Sequence, residues 1–189
     1  MKTTSIMIVG VGGQGTLLAS KLLGNALLRQ GFDVKVSEVH GMSQRGGSVV
    51  TYVRFGDKVY SPVVDLGEAD YILSFELLEA ARWIGYLKEG GTLVTNTHQT
   101  PPMPVITGAA EYPENIVEKL SGRAKVVALD ALPLAEQAGS AKAVNVVLIG
   151  VLSKIMPIPE EVWLQAIRET VPPKFLEMNE KAFALGRAL

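Results

Sequence analysis

Six residues near the N-terminus, Gly10-Val11-Gly12-Gly13-Gln14-Gly15, restrict the fold more than any other part of the chain. They follow a short apolar run, Ser5-Ile6-Met7-Ile8-Val9, with the character of a buried parallel strand. After them, over residues 16–30, Leu18, Leu22, Leu23, Ala26 and Leu27 recur at helical spacing, and Gly31 stands where a helix ends. Residues 33–38 alternate as a second strand. The first forty residues therefore read as a β-α-β unit whose first turn carries a G-x-G-x-x-G pattern in the context that pattern requires.

The alternation continues. Residues 48–55, Ser-Val-Val-Thr-Tyr-Val-Arg-Phe, are β-branched and aromatic, and a Gly56-Asp57 turn followed by residues 58–61 predicts a hairpin. Further strands are expected at 71–75, 92–96 and 125–129, with a helix at 76–87, a Gly90-Gly91 turn and a helix at 113–120 stopped by Gly122. Three prolines make 100–104 extended or irregular. Asp130 caps a helix ending at Gly139, 144–155 is an apolar buried helix, Pro159-Glu160-Glu161 opens another, and 174–187 forms the last. The expected architecture is α/β: a Rossmann-like, doubly wound, mainly parallel sheet with an inserted β-hairpin and a helical C-terminus, all in one domain spanning 1–189.

Composition excludes several functions. The chain has no cysteine, so thiol catalysis, disulfides and cysteine-ligated iron–sulfur clusters cannot be built on it. With two histidines, histidine-rich metal sites are excluded too. A formal net charge of −1 gives no reason to expect nucleic acid. No stretch has the length of a membrane span or the pattern of a signal peptide, so a cytoplasmic protein is expected.

Glycines permit a tight turn and close backbone approach, and the N–H groups opening the following helix attract a phosphate or other anion. Such a turn also serves merely to pack a helix on its sheet or to dock another chain, and the residues leave both readings open. Glu38 lies 23 positions beyond Gly15, against about twenty for an acid that meets an adenosine ribose. The loop His40-Gly41-Met42-Ser43-Gln44-Arg45-Gly46-Gly47 follows the second strand, near the sheet edge where ligands bind. Arg45 there can clamp a carboxylate or phosphate, or simply stand in solvent while Gly46-Gly47 turn the chain. His40 and His98 have no visible nucleophile or carboxylate partner and read as loop or packing residues. Asn145 reads as a hydrogen-bonding residue at the start of the buried helix, and Trp83 and Trp163 as core or interface.

Two segments carry a resemblance: Gly-Val-Gly-Gly-Gln-Gly-Thr-Leu-Leu-Ala at 10–19, and Glu-Val-His-Gly-Met-Ser-Gln-Arg-Gly-Gly-Ser at 38–48. Together, in order and spacing, they resemble the gamma-type domain of the 2-oxoacid:ferredoxin oxidoreductase family. The second segment, with Tyr-Val-Arg-Phe-Gly at 52–56 and Tyr-Ser-Pro at 60–62, is most similar to its indolepyruvate branch, and the likeness extends through Glu-Ala-Asp at 68–70. With Asn145 and the C-terminal helices, the likeness covers essentially the whole chain.

The resemblance implies a small subunit supporting oxidative decarboxylation. An aryl pyruvate and coenzyme A would yield an acyl-CoA, carbon dioxide and two reduced ferredoxins. It also implies that thiamine diphosphate and iron–sulfur clusters reside on a larger alpha subunit, in agreement with the absence of cysteine here. The chain would hold no cofactor firmly, would be inactive alone, and would contribute coenzyme A or partner contacts. The residues implied for those contacts are Gly10, Gly12, Gly13, Gln14, Gly15, Ser43, Gln44, Arg45, Gly46 and Gly47; no catalytic residue carries over. Pyruvate, 2-oxoglutarate and branched-chain versions of the enzyme remain neighbouring readings. A free-standing NAD-dependent oxidoreductase and a non-enzymatic scaffold are the rivals of another class. Subunit stoichiometry and self-association of the isolated chain are left open.

Overall fold

The structure, a computed structural model, describes residues 2–43 and 45–189; Gln44 lies outside the described residues. Six strands form one sheet in the order β2-β3-β1-β4-β5-β6. β1 (Thr4–Val11) leads through the glycine turn into α1 (Thr16–Arg29), and β2 (Asp33–His40) follows. β3 (Ser48–Gly56) pairs antiparallel with both β1 and β2. β4 (Ala69–Ser74), β5 (Leu87–Asn96) and β6 (Lys125–Leu129) extend the sheet from β1 in parallel. The expected β-α-β unit is thus present, but with β3 lodged between its two strands.

Period-two alternation divides the core between the faces. Ile6 and Ile8 of β1 face a large cluster built with Leu22, Leu23 and Leu27 of α1, α6 (Val144–Ile155), Trp163 of α7 (Glu160–Thr170) and Phe183 of α8 (Leu176–Arg187). Met7 and Val9 face a smaller one with Leu77 and Ala80 of α2 (Leu77–Trp83) and Ile116 and Leu120. Both faces of β1 are covered, which is why its sequence is an unbroken apolar run. α6 crosses α8 at backbone contact: a Cβ on Gly150 would overlap Phe183 O, and one on Gly186 would overlap Val147 O.

Several boundaries depart from the sequence reading. The hairpin expected across Gly56-Asp57 does not form, because residues 58–61 make no strand; β3 instead pairs antiparallel with β2, the strand before it in the chain. Residues 58–61 are held otherwise, with Val59 N–H donating to the Asp33 carboxylate at 2.9 Å and the Val59 side chain buried. The 76–87 helix stops at Trp83, passes through a 3-10 turn at Ile84–Tyr86, and yields Leu87 to β5. Gly90-Gly91 is not a turn but a bulge inside β5, where the register jumps from Ala69–Leu87 to Tyr71–Thr92.

The proline-rich stretch is irregular over 100–102 and then makes one helical turn, α3 (Met103–Ile106), because proline is tolerated in a first turn. α4 starts late, at Ile116–Ser121, after Asn115 adopts a left-handed conformation. α5 (Leu132–Ala138) does receive the Asp130 carboxylate on Leu132 N, at 3.1 Å, and does end at Gly139. β6 and α6 fall where their spacing puts them. No single helix among the described residues is long and apolar enough to cross a membrane.

Candidate functional site

The chain leaves β1 toward β2 on one side and reaches β4 on the other, so the sheet reverses its winding between β1 and β4. Open α/β sheets bind ligands at such a point, beyond the carboxyl ends of the strands. Here the glycine turn stands at that point. Gln14 Oε1 accepts the Val11 N–H at 2.8 Å, closing the turn on itself, and leaves Nε2 without a partner among the described residues. Gly13 and Gly15 have φ of 104° and 88°, left-handed values that an L side chain strains to adopt. The Gly15 carbonyl accepts Asn145 Nδ2 at 3.2 Å, and a Cβ at Gly15 would overlap that same amide. Asn145 is buried and its Oδ1 takes the Val146 N–H at 2.9 Å, so its role is to fasten α6 to the turn.

A cavity of about 590 Å³ opens between the turn, the ends of β4 and β5, and the start of α6. Leu18, Phe75, Leu132 and Val144 give it apolar walls; Asn96 and Asn145 lie buried within it; His98 and Lys142 stand exposed at its rim. No carboxylate lines it. α1 begins with neither a side-chain cap nor an acidic residue in its first turn, whereas α7 opens with Glu160 and Glu161. No acid of its own first turn therefore offsets the positive end of α1 on the side of this cavity, where Lys142 stands, an arrangement suited to an anion.

A second concavity, about 400 Å³, lies on the other flank of the turn and shares Gly13 and Gly15 with the first. Glu38 lines it, accepting Thr51 Oγ1 at 3.2 Å. Because β3 intervenes, Glu38 sits one strand spacing, about 4.8 Å, farther from β1 than the acid of a plain dinucleotide fold would. His40 is exposed, with Nδ1 2.9 Å from Gly41 O, and engages no catalytic partner among the described residues.

The two sequence motifs meet. Gly12 N–H donates to Gly47 O at 2.8 Å, and Gly46 N–H donates to Gly12 O at 3.2 Å. Described loop residues lie close to one another: Ser43 Oγ donates to Arg45 O at 2.6 Å, and a Cβ on Gly47 would come within 2.7 Å of Ser43 O. Glu79, buried on α2, accepts Ser48 Oγ and so anchors the loop's exit. Arg45 projects into solvent and its guanidinium has no partner among the described residues. None of the described loop residues 43–47 lines the large cavity, which Gly13, Gln14 and Gly15 do.

Sequence reasoning passed over Asn96, Lys142 and Phe75. The one available signal was position: Phe75 and Asn96 fall at the carboxyl ends of parallel strands. It also passed over Glu76, a carboxylate only 1 % exposed. Glu76 accepts from Glu79 N at 2.8 Å, Thr100 N at 2.9 Å and Tyr112 Oη at 2.8 Å, holding both ends of the proline-rich excursion. Burial, then the hydrogen bond to Glu76, raise the Tyr112 pKa well above the ordinary tyrosine value.

Solved oxidoreductase subunits share this overall fold. The Thermotoga maritima pyruvate oxidoreductase subunit PORC aligns with a TM-score of 0.77 at 22 % identity, covering 100 % of this chain and 97 % of that one. The 2-oxoglutarate:ferredoxin oxidoreductase of Magnetococcus marinus, solved with 2-oxoglutarate, coenzyme A and succinyl-CoA bound, aligns at 0.76 and 21 % identity. There the match covers 100 % of this chain but 31 % of that one.

The chain belongs to the pyruvate ferredoxin/flavodoxin oxidoreductase family, whose model matches residues 5–189. It is 52 % identical to the indolepyruvate oxidoreductase subunit IorB of Thermococcus kodakarensis, over 98 % of this chain and 95 % of that protein. Identity to the pyruvate/ketoisovalerate oxidoreductases common subunit gamma of Thermococcus litoralis is 28 %, over 92 % and 89 %.

Proposed function

We propose that this chain is the small subunit of a 2-oxoacid:ferredoxin oxidoreductase of the indolepyruvate type, acting in the cytoplasm beside a larger subunit. The complex would convert an aryl pyruvate and coenzyme A to an acyl-CoA and carbon dioxide, passing two electrons to two ferredoxins. The observation that carries this reading is the carboxylate-free cavity at the switch point, flanked by Lys142 and by a helix start with no acid in its own first turn. Its lining suits an anionic ligand with an apolar arm. The higher identity to the indolepyruvate relative than to the pyruvate/ketoisovalerate one supports the substrate branch.

Iron–sulfur clusters do not fit the residues of this chain, which offers no cysteine ligand. They and thiamine diphosphate, which supplies the decarboxylation chemistry, belong in this reading to the larger subunit. That the same fold makes up 31 % of one longer relative chain is consistent with such a division. What this chain's residues do is bind and orient. The glycine turn and the α1 start would face the phosphates of coenzyme A, with Lys142 at the rim; Gln14 Nε2 would donate. Arg45, Gly46 and Gly47, on the far flank of the turn, would meet the partner subunit or the outer part of the ligand, with Ser43 shaping the loop. Gly10 and Gly12 serve the turn's geometry.

Calorimetric titration of the assembled complex with coenzyme A and with NAD tests the assignment. Saturable binding of coenzyme A and none of NAD is expected; NAD binding with hydride transfer would overturn it in favour of a nicotinamide enzyme.

A further inference from the structure

Asn96 ends β5 and is 3 % exposed, yet only half of its amide is used. Its Oδ1 accepts the Ala131 N–H at 3.2 Å, which fixes the orientation of the group, because a nitrogen there would face another donor. Its Nδ2 donates to nothing among the described residues. Nor is Nδ2 among the nitrogens of the described residues that are sealed inside the protein without a partner, which are Arg54 Nε and Trp163 Nε1. Asn96 lines the large cavity, so the cavity is the outlet for that donor. Asn145, the other buried amide there, is already committed at both ends, to Gly15 O and Val146 N.

We infer that Asn96 is a ligand-binding residue whose Nδ2 donates to an uncharged carbonyl oxygen, an amide of the pantetheine arm, when coenzyme A enters the cavity. The inference rests on the reading of this cavity as the coenzyme A site. The distribution of charge argues for an amide over a carboxylate. The cation, Lys142, and the open helix start lie at the rim and the glycine turn, where phosphates would stay partly solvated. Asn96, by contrast, is buried, shares the cavity with the apolar Leu18, Phe75, Leu132 and Val144, and offers a neutral donor. A carboxylate placed there would be desolvated without a cation to meet it. An arm that is mostly hydrocarbon and carries amide carbonyls matches those walls and that donor.

The test uses the complex reconstituted with its larger subunit. Asn96→Asp keeps the acceptor for Ala131 N and replaces the donor with a charge; Asn96→Ser shortens the group. KM is measured separately for coenzyme A and for the 2-oxoacid, alongside the thermal midpoint. KM for coenzyme A should rise roughly three- to tenfold in Asn96→Ser, the range one neutral hydrogen bond supplies, and further in Asn96→Asp, with KM for the oxoacid unchanged.

A ligand-side measurement keeps the inference exposed even if a variant folds poorly. A coenzyme A analogue with CH2–CH2 in place of one pantetheine amide, made for each amide in turn, should bind the wild-type complex several-fold more weakly than coenzyme A for one of the two. A variant that folds should not discriminate that pair. Unchanged KM for coenzyme A in both variants, or a rise confined to the oxoacid, overturns the role of Asn96 alone. A wild-type complex with no saturable dependence on coenzyme A overturns the reading of the cavity, and this inference with it.

Discussion

Gly12 and Gly47 are joined backbone to backbone, the Gly12 N–H donating to the Gly47 carbonyl at 2.8 Å while Gly12 O accepts from Gly46 N. The pair continues the β1–β3 ladder beyond its last register pair, Val11–Ser48. Because β3 runs antiparallel beside β1, its preceding loop must arrive where β1 ends. Two glycine motifs far apart in the chain thereby become one structural unit, and the arginine between them is carried to the flank of the turn.

Gly15→Ala should destabilise the protein by about 1–3 kcal/mol, since alanine is strained at φ 88° and its Cβ collides with Asn145. Adding Asn145→Ala removes the collision but not the strain, so the double variant should lose less than the sum of the two single losses. Urea unfolding midpoints of the four proteins check this.

Arg45→Ala should leave stability within about 0.5 kcal/mol of wild type, because the side chain is exposed and bonded to no described group. It should weaken either association with the larger subunit or the affinity of the complex for coenzyme A. Parallel thermal melts and titrations separate these effects. Unaltered binding on both counts would leave Arg45 a solvated loop residue.

Gly150→Ala should cost about 2 kcal/mol or more, although alanine is the better helix former by about 1 kcal/mol. Its Cβ would meet the α8 backbone at Phe183 O, and Arg187 N at 2.9 Å, so the two helices would have to part. A thermal midpoint that rises instead would show that the crossing can relax.

Tyr112 supplies a pH dependence. Its folded pKa is raised, chiefly by burial and next by the bond to Glu76, above the unfolded value of about 10. The stabilisation it contributes is therefore complete below pH 10 and is lost progressively as the pH rises above that value. Tyr112→Phe should flatten the alkaline fall in stability, leaving the contributions of Tyr52 and Tyr71, whose pKa values burial also raises. Hydrogen exchange should also quicken across residues 101–111, which Glu76 would then hold at one end only.

Strands and helices with strong periodicity were legible in the sequence: β6 and α6 stand where their spacing puts them. The missing hairpin shows where local pattern stops informing. Residues 58–61 have strand composition, yet β3 already finds β1 and β2 on its two edges, and Val59 is taken by Asp33. The Gly90-Gly91 bulge depends on register with β4, which no local window contains.

The glycine turn was legible as a possible anion site. Its partner across the cavity, Asn96, was not, because one amide becomes notable only when burial and a half-used hydrogen-bonding capacity are seen together. Glu76 was hidden for a similar reason: its three donors come from separate segments.

The central claim, that this chain binds and orients while redox turnover belongs to a larger companion, is tested by one assay. Ferredoxin reduction with indolepyruvate and coenzyme A is followed for the purified chain, for the larger subunit, and for the two combined. Turnover only in the combination is expected; sustained oxidation of the substrate by the purified chain alone would contradict the account.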